Sequence, residues 1–235
     1  MRVLTIVHEE DAGPGVFGGV LAASGAEVGT WLVPEQPKPP APAETYDAIL
    51  SFGGSAHPHQ EERHPWLATE KRWLADALAG SVPLLGICLG SELLAEIAGA
   101  QSRHMPHPEI GWYEVGLTDA GRGDPVLGPV DERFEALEWH SYAVDLPAGA
   151  TALAEGANCL QAYRIGDSTW GLQFHAEVTD ADFRHWLDNY TVDEDAVRDG
   201  IDPAAIAQAS AGRMPDWHEL GRGICARFLQ AASAR

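Results

Sequence analysis

Cys88 lies in the run Pro83-Leu84-Leu85-Gly86-Ile87-Cys88-Leu89-Gly90-Ser91-Glu92. A short apolar stretch leads into Gly-x-Cys-x-Gly, and a helical pattern follows. This is the layout of a nucleophile elbow with sulfur in place of a hydroxyl. Glycines at 86 and 90 suit it, because a Cβ at either place would obstruct the approach of strand and helix. The turn sets the thiol at a helix N-terminus, where unpaired N–H groups favour the thiolate. The thiolate is the attacking form of cysteine.

A nucleophilic thiol needs a base, and Trp170-Gly171-Leu172-Gln173-Phe174-His175-Ala176-Glu177 supplies one. Trp170 to Phe174 reads as a buried strand. In extended chain, residues two apart point to one face, so Glu177 can orient the His175 imidazole. Cys88, His175 and Glu177 are therefore the expected catalytic set. His57, His59, His64, His104 and His107 invite a metal reading. Their spacing matches no helical ligand pair, and Pro58 and Pro106 suggest loops, so no metal is expected. No organic cofactor is needed for this chemistry either. His140 beside Trp139 fits both a site-lining role and plain packing.

The elements that must hold these residues follow from periodicity. Arg2 to Val7 reads as a buried strand, and Glu27 to Val33, Tyr46 to Phe52 and Val82 to Ile87 read as the strands that follow it. Val16 to Ser24 and Pro65 to Leu78 read as helices between them. Pro34 to Pro42 carries five prolines and must be an extended surface connector. Such alternation predicts an α/β fold with a mostly parallel, doubly wound, flavodoxin-like sheet and helices on both faces. Gly53-Gly54, Cys88 and His175 all fall at strand ends, where such sheets place their sites. Between Trp112 and Leu172, short strands at Tyr113–Leu117, Ala136–Trp139, Thr151–Ala154 and Ala162–Arg164 predict a small antiparallel portion. After Thr179 the chain is helical, clearest over Ala181 to Tyr190 and Asp216 to Ala232. The expected division is a domain over 1–190 and a C-terminal helical extension over 191–235. In that extension Trp217, Leu220, Ile224, Phe228 and Leu229 form an apolar stripe that reads as core-facing.

Composition narrows the function classes. Hydrophobic residues make up 45%, enough for a sizeable core. The formal net charge is −20, from 15 basic and 35 acidic residues, and no basic run exists. That argues against a nucleic-acid surface and against anionic membranes. The three cysteines match neither a zinc ribbon nor a disulfide framework, which fits a reducing cytoplasm. The first eight residues are too short and end too polar for a signal peptide, and no stretch has transmembrane length.

The elbow and the late His/Glu segment carry a family resemblance. The chain resembles a class I, triad-type glutamine amidotransferase, a family marked by Gly-x-Cys-x-Gly and by His-Pro-Glu after a late strand. The likeness covers roughly residues 1–180 and extends to Ser51-Phe52-Gly53-Gly54, Glu109-Ile110-Gly111-Trp112 and Trp139-His140. It implies hydrolysis of a glutamine or γ-glutamyl side-chain amide through a cysteine thioester. Backbone N–H groups of Gly54 and Leu89 would form the oxyanion hole. Gly53, Glu92, Glu109 and Gly111 would contact substrate. Glu92 stands where the family usually carries Gln, and Ala176 where it usually carries Pro. The first change bears on substrate charge; the second loses rigidity but no functional group. The chain has no room for a synthetase domain, so ammonia is either released or passed to a separate synthetase subunit. A second copy of the chain is the other candidate partner. Two alternatives stay open: a γ-glutamyl peptidase or hydrolase acting on a different amine, and a regulatory subunit whose triad is idle.

Overall fold

The computed structural model describes residues 1–234. Strands β1 (Arg2–Val7), β2 (Glu27–Leu32), β3 (Ala48–Ser51), β4 (Leu84–Ile87) and β9 (Thr169–Leu172) pair in parallel. Strands β5 (Ser102–Leu117), β6 (Arg133–Val144), β7 (Thr151–Glu155) and β8 (Leu160–Ile165) continue the same sheet antiparallel. The order is β2-β1-β3-β4-β9-β8-β7-β5-β6. Within the parallel half, β1, β3, β4 and β9 are buried on both faces, as covering helices require, while the edge strand β2 is largely exposed. In β1 and β3, Leu4, Ile6 and Ile49 face α2 (Trp66–Ala79) and α3 (Leu89–Ile97), packing with Leu67, Trp73 and Leu93. From the same strands Val3, Val7 and Leu50 face the opposite side. There they pack with Phe17 of α1 (Gly15–Ala23) and with Ile224 and Phe228 of α8 (Met214–Ser233). The period-2 alternation of each strand thus feeds two separate cores.

The apolar stripe of α8 is core-facing: Trp217, Ile224 and Phe228 are all buried. At Gly221 the helix comes so close that a Cβ would lie 1.9 Å from the Ala176 carbonyl oxygen. The C-terminal helix therefore presses directly on the segment that carries His175 and Glu177.

Two features differ from the sequence expectation. β5 starts at Ser102 rather than Tyr113, so His104 and His107 lie on a strand and not in loops. Its register with β6 shifts between His104 and Glu109, and this irregularity accommodates Pro106. β9 ends at Leu172, leaving His175 in the loop beyond it. After Thr179 the chain is helical as expected, with α6 (Glu194–Asp199) and α7 (Pro203–Ser210) between α5 (Asp180–Asp188) and α8; α4 (Asp119–Arg122) lies earlier, after β5.

Candidate active site

β4 ends at Ile87 and α3 begins at Leu89, so Cys88 alone makes the turn. Its backbone sits at φ 48° and ψ −112°, a region that L side chains rarely adopt. Such strain costs on the order of 1–3 kcal/mol and persists only where the surroundings hold it. The Cys88 N–H donates to the Leu172 carbonyl of β9 at 2.8 Å, and the Gly90 N–H to the Phe52 carbonyl at 3.1 Å. A Cβ on Gly86 would lie 2.6 Å from the Gly90 carbonyl carbon, and one on Gly90 2.2 Å from the Ser51 carbonyl oxygen. Only glycine lets α3 sit this close to the sheet.

His175 is fixed from three sides. Its N–H donates to the Leu137 carbonyl at 2.9 Å, and its carbonyl accepts from Trp217 Nε1 of α8 at 2.8 Å. The Trp186 ring meets its imidazole edge-on at 4.9 Å between centroids. His175 Nδ1 lies 2.8 Å from Glu177 Oε1. A carboxylate accepts, so Nδ1 carries the proton, and Nε2 is left free of other partners among the described residues. Gly53 shows that Cys88 and His175 converge: a Cβ there would lie 3.0 Å from His175 Cε1 and 3.6 Å from Cys88 Cβ. Burial works against a charge on His175, but the Glu177 carboxylate and the Cys88 sulfur together raise its pKa well above the ordinary value.

A cavity of about 570 Å³ opens onto this point and is lined by Gly54, Cys88, Leu89, Glu92, His140 and His175 among others. Its lining also carries Glu9, Asp11, Asp193, Glu194 and Asp195 against Arg63 and Arg198. Glu92 is buried and accepts from Gln173 Nε2 at 3.1 Å. Burial pushes its pKa up, and the His140 charge and the Gln173 hydrogen bond only partly oppose this. The side chain is thus held toward the neutral acid, which is close in shape to glutamine.

Glu109 and Gly111 lie outside that cavity. A Cβ on Gly111 would lie 3.7 Å from Ile206 Cγ1 of α7. The Glu109 carboxylate accepts from Asn158 at 2.7 Å, from Gln161 at 3.0 Å and from His140 at 3.1 Å. His140 Nδ1 donates to the Tyr142 carbonyl at 2.7 Å, and its Nε2 also approaches Glu138 at 3.3 Å. Burial opposes its charge, yet these two carboxylates raise its pKa to about 10. His104 instead pairs with Asp195 and His107 with Asp199.

One supporting pair is invisible in sequence. His8 Nδ1 donates to the Gly53 carbonyl at 2.9 Å, and Nε2 lies 2.8 Å from the fully buried Glu70. Burial disfavours the His8 cation, but Glu70 outweighs it and raises the pKa. Glu70 also accepts from Ser51 at 3.0 Å, so one buried carboxylate ties α2 to β3 and, through His8, to the Gly53-Gly54 turn. The signal was thin: His8 ends an apolar strand, and Glu70 lies on an otherwise amphipathic helix.

The family model for class I glutamine amidotransferases matches residues 20–193, a span that includes Cys88, His175 and Glu177. The chain belongs to the class I glutamine amidotransferase family. It is 31% identical to the glutamine amidotransferase-like protein YfeJ of Salmonella typhimurium, over 76% of this chain and 77% of that one. It is also 31% identical to a gamma-glutamyl-L-1-hydroxyisopropylamide hydrolase of Pseudomonas, over 59% of this chain and 49% of that protein. A solved glutamine amidotransferase of Thermotoga maritima superposes with a TM-score of 0.87 at 27% identity, covering 98% of each chain. The amidotransferase fold here thus includes α8, beyond the stretch that the family model matches. No helix among the described residues is long and apolar enough to cross a membrane.

Proposed function

We propose that this amidotransferase hydrolyses a glutamine or γ-glutamyl side-chain amide through a thioester on Cys88. The Cys88 thiolate attacks the amide carbon, and the backbone N–H groups of Gly54 and Leu89 hold the oxyanion. His175 Nε2 gives its proton to the departing amine, and the carbon–nitrogen bond breaks to leave the thioester. His175 then takes a proton from water, whose oxygen attacks the thioester to release glutamate and restore the thiolate–imidazolium pair. Glu177 keeps the Nδ1 proton in place throughout, the orienter's role in such triads. The observation that carries this reading is the strained Cys88 elbow facing the unpartnered His175 Nε2, with Glu177 2.8 Å behind.

A γ-glutamyl amide larger than glutamine is the second reading. A cavity of 570 Å³ lies in the range of roughly 300–1,000 Å³ that suits drug-sized ligands, beyond the needs of free glutamine. Its acidic lining favours an amine portion that is neutral or cationic. The relative that hydrolyses a γ-glutamyl amide supports the same class. The test is to incubate the purified chain with glutamine and with γ-glutamyl amides of neutral, cationic and anionic amines, measuring glutamate release. Turnover of at least one, lost in Cys88→Ser, is expected. No glutamate from any of them would overturn the hydrolytic reading in favour of an idle subunit. Glutamine turnover that only a synthetase could stimulate would mark an ammonia donor instead.

A further inference from the structure

Behind the cavity, the antiparallel half of the sheet gathers a second set of side chains. Glu109 of β5 and His140 of β6 are register partners. Glu138 lies two residues from His140 on β6 and so shares its face. Cys159, just before β8, brings its Sγ to 3.4 Å from Glu109 Oε2. All four residues are buried.

We propose that Glu109, Glu138, His140 and Cys159 form a binding site for one divalent transition-metal ion, zinc foremost. The proposal does not rest on the reaction assigned to Cys88. The donor atoms of Glu109, His140 and Cys159 all lie within 4.8 Å of one another, and Glu138 stands outside that trio, reaching it through His140 at 3.3 Å. Zinc bonds of about 2.0 Å to nitrogen or oxygen and about 2.3 Å to sulfur imply tetrahedral edges of about 3.3 Å and 3.5 Å. The distances in the cluster are 3.1 Å from His140 Nε2 to Glu109, 3.3 Å from His140 Nε2 to Glu138, and 3.4 Å from Cys159 Sγ to Glu109. Three edges therefore already have the length that a shared central ion requires.

The surroundings fit a ligand role as well. His140 Nδ1–H is tied to the Tyr142 carbonyl, the outer hydrogen bond that presents Nε2 as a metal ligand. Asn158 and Gln161 donate to Glu109 and hold its carboxylate. The fully buried Glu138 has His140 Nε2 at 3.3 Å from Oε2, and neither of its oxygens makes a further hydrogen bond among the described residues. Buried carboxylate oxygens are costly unless paired or metal-bound, and Glu138 points at the cluster. Glu109 also lines a second cavity, of about 450 Å³, together with Glu155 and with Glu114, which is paired to Arg133 there at 2.7 Å, so the approach keeps an acidic excess. One thiolate, one imidazole and two carboxylates are a borderline-soft set that suits zinc over magnesium or calcium. Binding would release the protons of the Cys159 thiol and of His140 Nε2 to solvent.

The test uses the full chain, stripped with a chelator and titrated with Co²⁺ as a spectroscopic stand-in for zinc. The expected result is about one equivalent bound per chain, with a thiolate-to-cobalt charge-transfer band and a metal-dependent rise in Tm. Cys159→Ser should lose the band, and Cys88→Ser should keep it. If Cys159→Ser folds poorly, Glu138→Gln provides the second arm: the band stays and affinity falls at least about tenfold. No band in the wild type, a band that survives Cys159→Ser, a band lost in Cys88→Ser, or unchanged affinity in Glu138→Gln would each overturn the site as drawn.

Discussion

Two buried cysteines of this chain lie in opposite halves of one sheet, and their neighbourhoods differ in kind. Cys88 ends a parallel strand, sits at the first turn of α3 and meets an imidazole. Cys159 stands beside antiparallel strands and meets a carboxylate, with Glu109 3.4 Å from its sulfur. Burial and then the charges of Glu109 and Glu138 push the Cys159 thiol pKa far up. Burial alone pushes Cys225, inside α8, up to about 12. Parallel strands all end at the same edge, so they collect helix N-termini and free backbone N–H groups there, which favour anions. Antiparallel pairs instead bring side chains face to face across strands, and here those side chains are carboxylates. Topology, more than residue type, decides which thiol is prepared to attack.

The largest effect that can break this contrast is loss of Cys88. Cys88→Ser should lower kcat by about 10⁴–10⁶, as removal of the nucleophile does in triad enzymes. Brief iodoacetamide treatment of the wild type should give one adduct, located at Cys88 by peptide mass mapping. Preferential labelling of Cys159 or Cys225 would reverse the contrast.

Next in size is the imidazole. His175→Ala should approach the Cys88→Ser loss, because both proton transfers pass through Nε2. Glu177→Gln keeps the ring in place but weakens its charge partner, and should cost about 10²–10⁴ in kcat with little change in KM. Equal losses in the two variants would mean that Glu177 does more than orient.

Gly54→Ala probes the backbone on the same edge. A Cβ there would lie 2.9 Å from His8 Cβ and 3.4 Å from Leu89 Cδ2, so the peptide must shift. Displacing one oxyanion donor should lower kcat by about 10²–10³ while thermal stability falls little. An unchanged kcat would remove Gly54 from the site.

The parallel half was the legible one. Gly86-x-Cys88-x-Gly90 after an apolar strand allows few geometries, and the i, i+2 pairing of His175 with Glu177 holds even though β9 stops at Leu172. The antiparallel half was harder to read. Pro106 looks like a strand breaker, but the adjacent register shift absorbs it, so β5 runs through His104 and His107. The pairing of Glu109 with His140 depends on that register, which no local pattern reveals. Helices α6 and α7 have Asp193 and Asp202 as N-caps, yet span only six and eight residues, too few to show a period. His8 and Glu70 are 62 positions apart, and a glutamate on an amphipathic helix reads as solvated until the fold buries it.

The smallest effect tests how far the anion-favouring edge extends. Glu92 lies one helical turn past Cys88 and lines the same cavity, a carboxyl group where the edge favours anions but burial does not. Burial raises its pKa, so the folded chain holds that proton more tightly than the unfolded chain does. Glu92 therefore contributes stability below the ordinary carboxylate value of about 4.3 and loses that contribution as pH rises through its folded value. Glutamine carries no charge at any pH. Glu92→Gln should then raise Tm by roughly 2–4 °C at pH 7.5 and leave it unchanged near pH 4. Glutamine turnover should follow the same course. Ionised Glu92 repels the substrate α-carboxylate, so the gain in kcat/KM from Glu92→Gln should grow with pH and vanish in acid. Melting curves and initial rates across the pH range decide the matter. A Tm difference that is flat in pH would show that the folded and unfolded chains hold the Glu92 proton equally tightly, and a flat kcat/KM difference that its ionisation does not reach the substrate. A lower Tm at pH 7.5 would show that the carboxylate is held by its partners rather than tolerated by protonation.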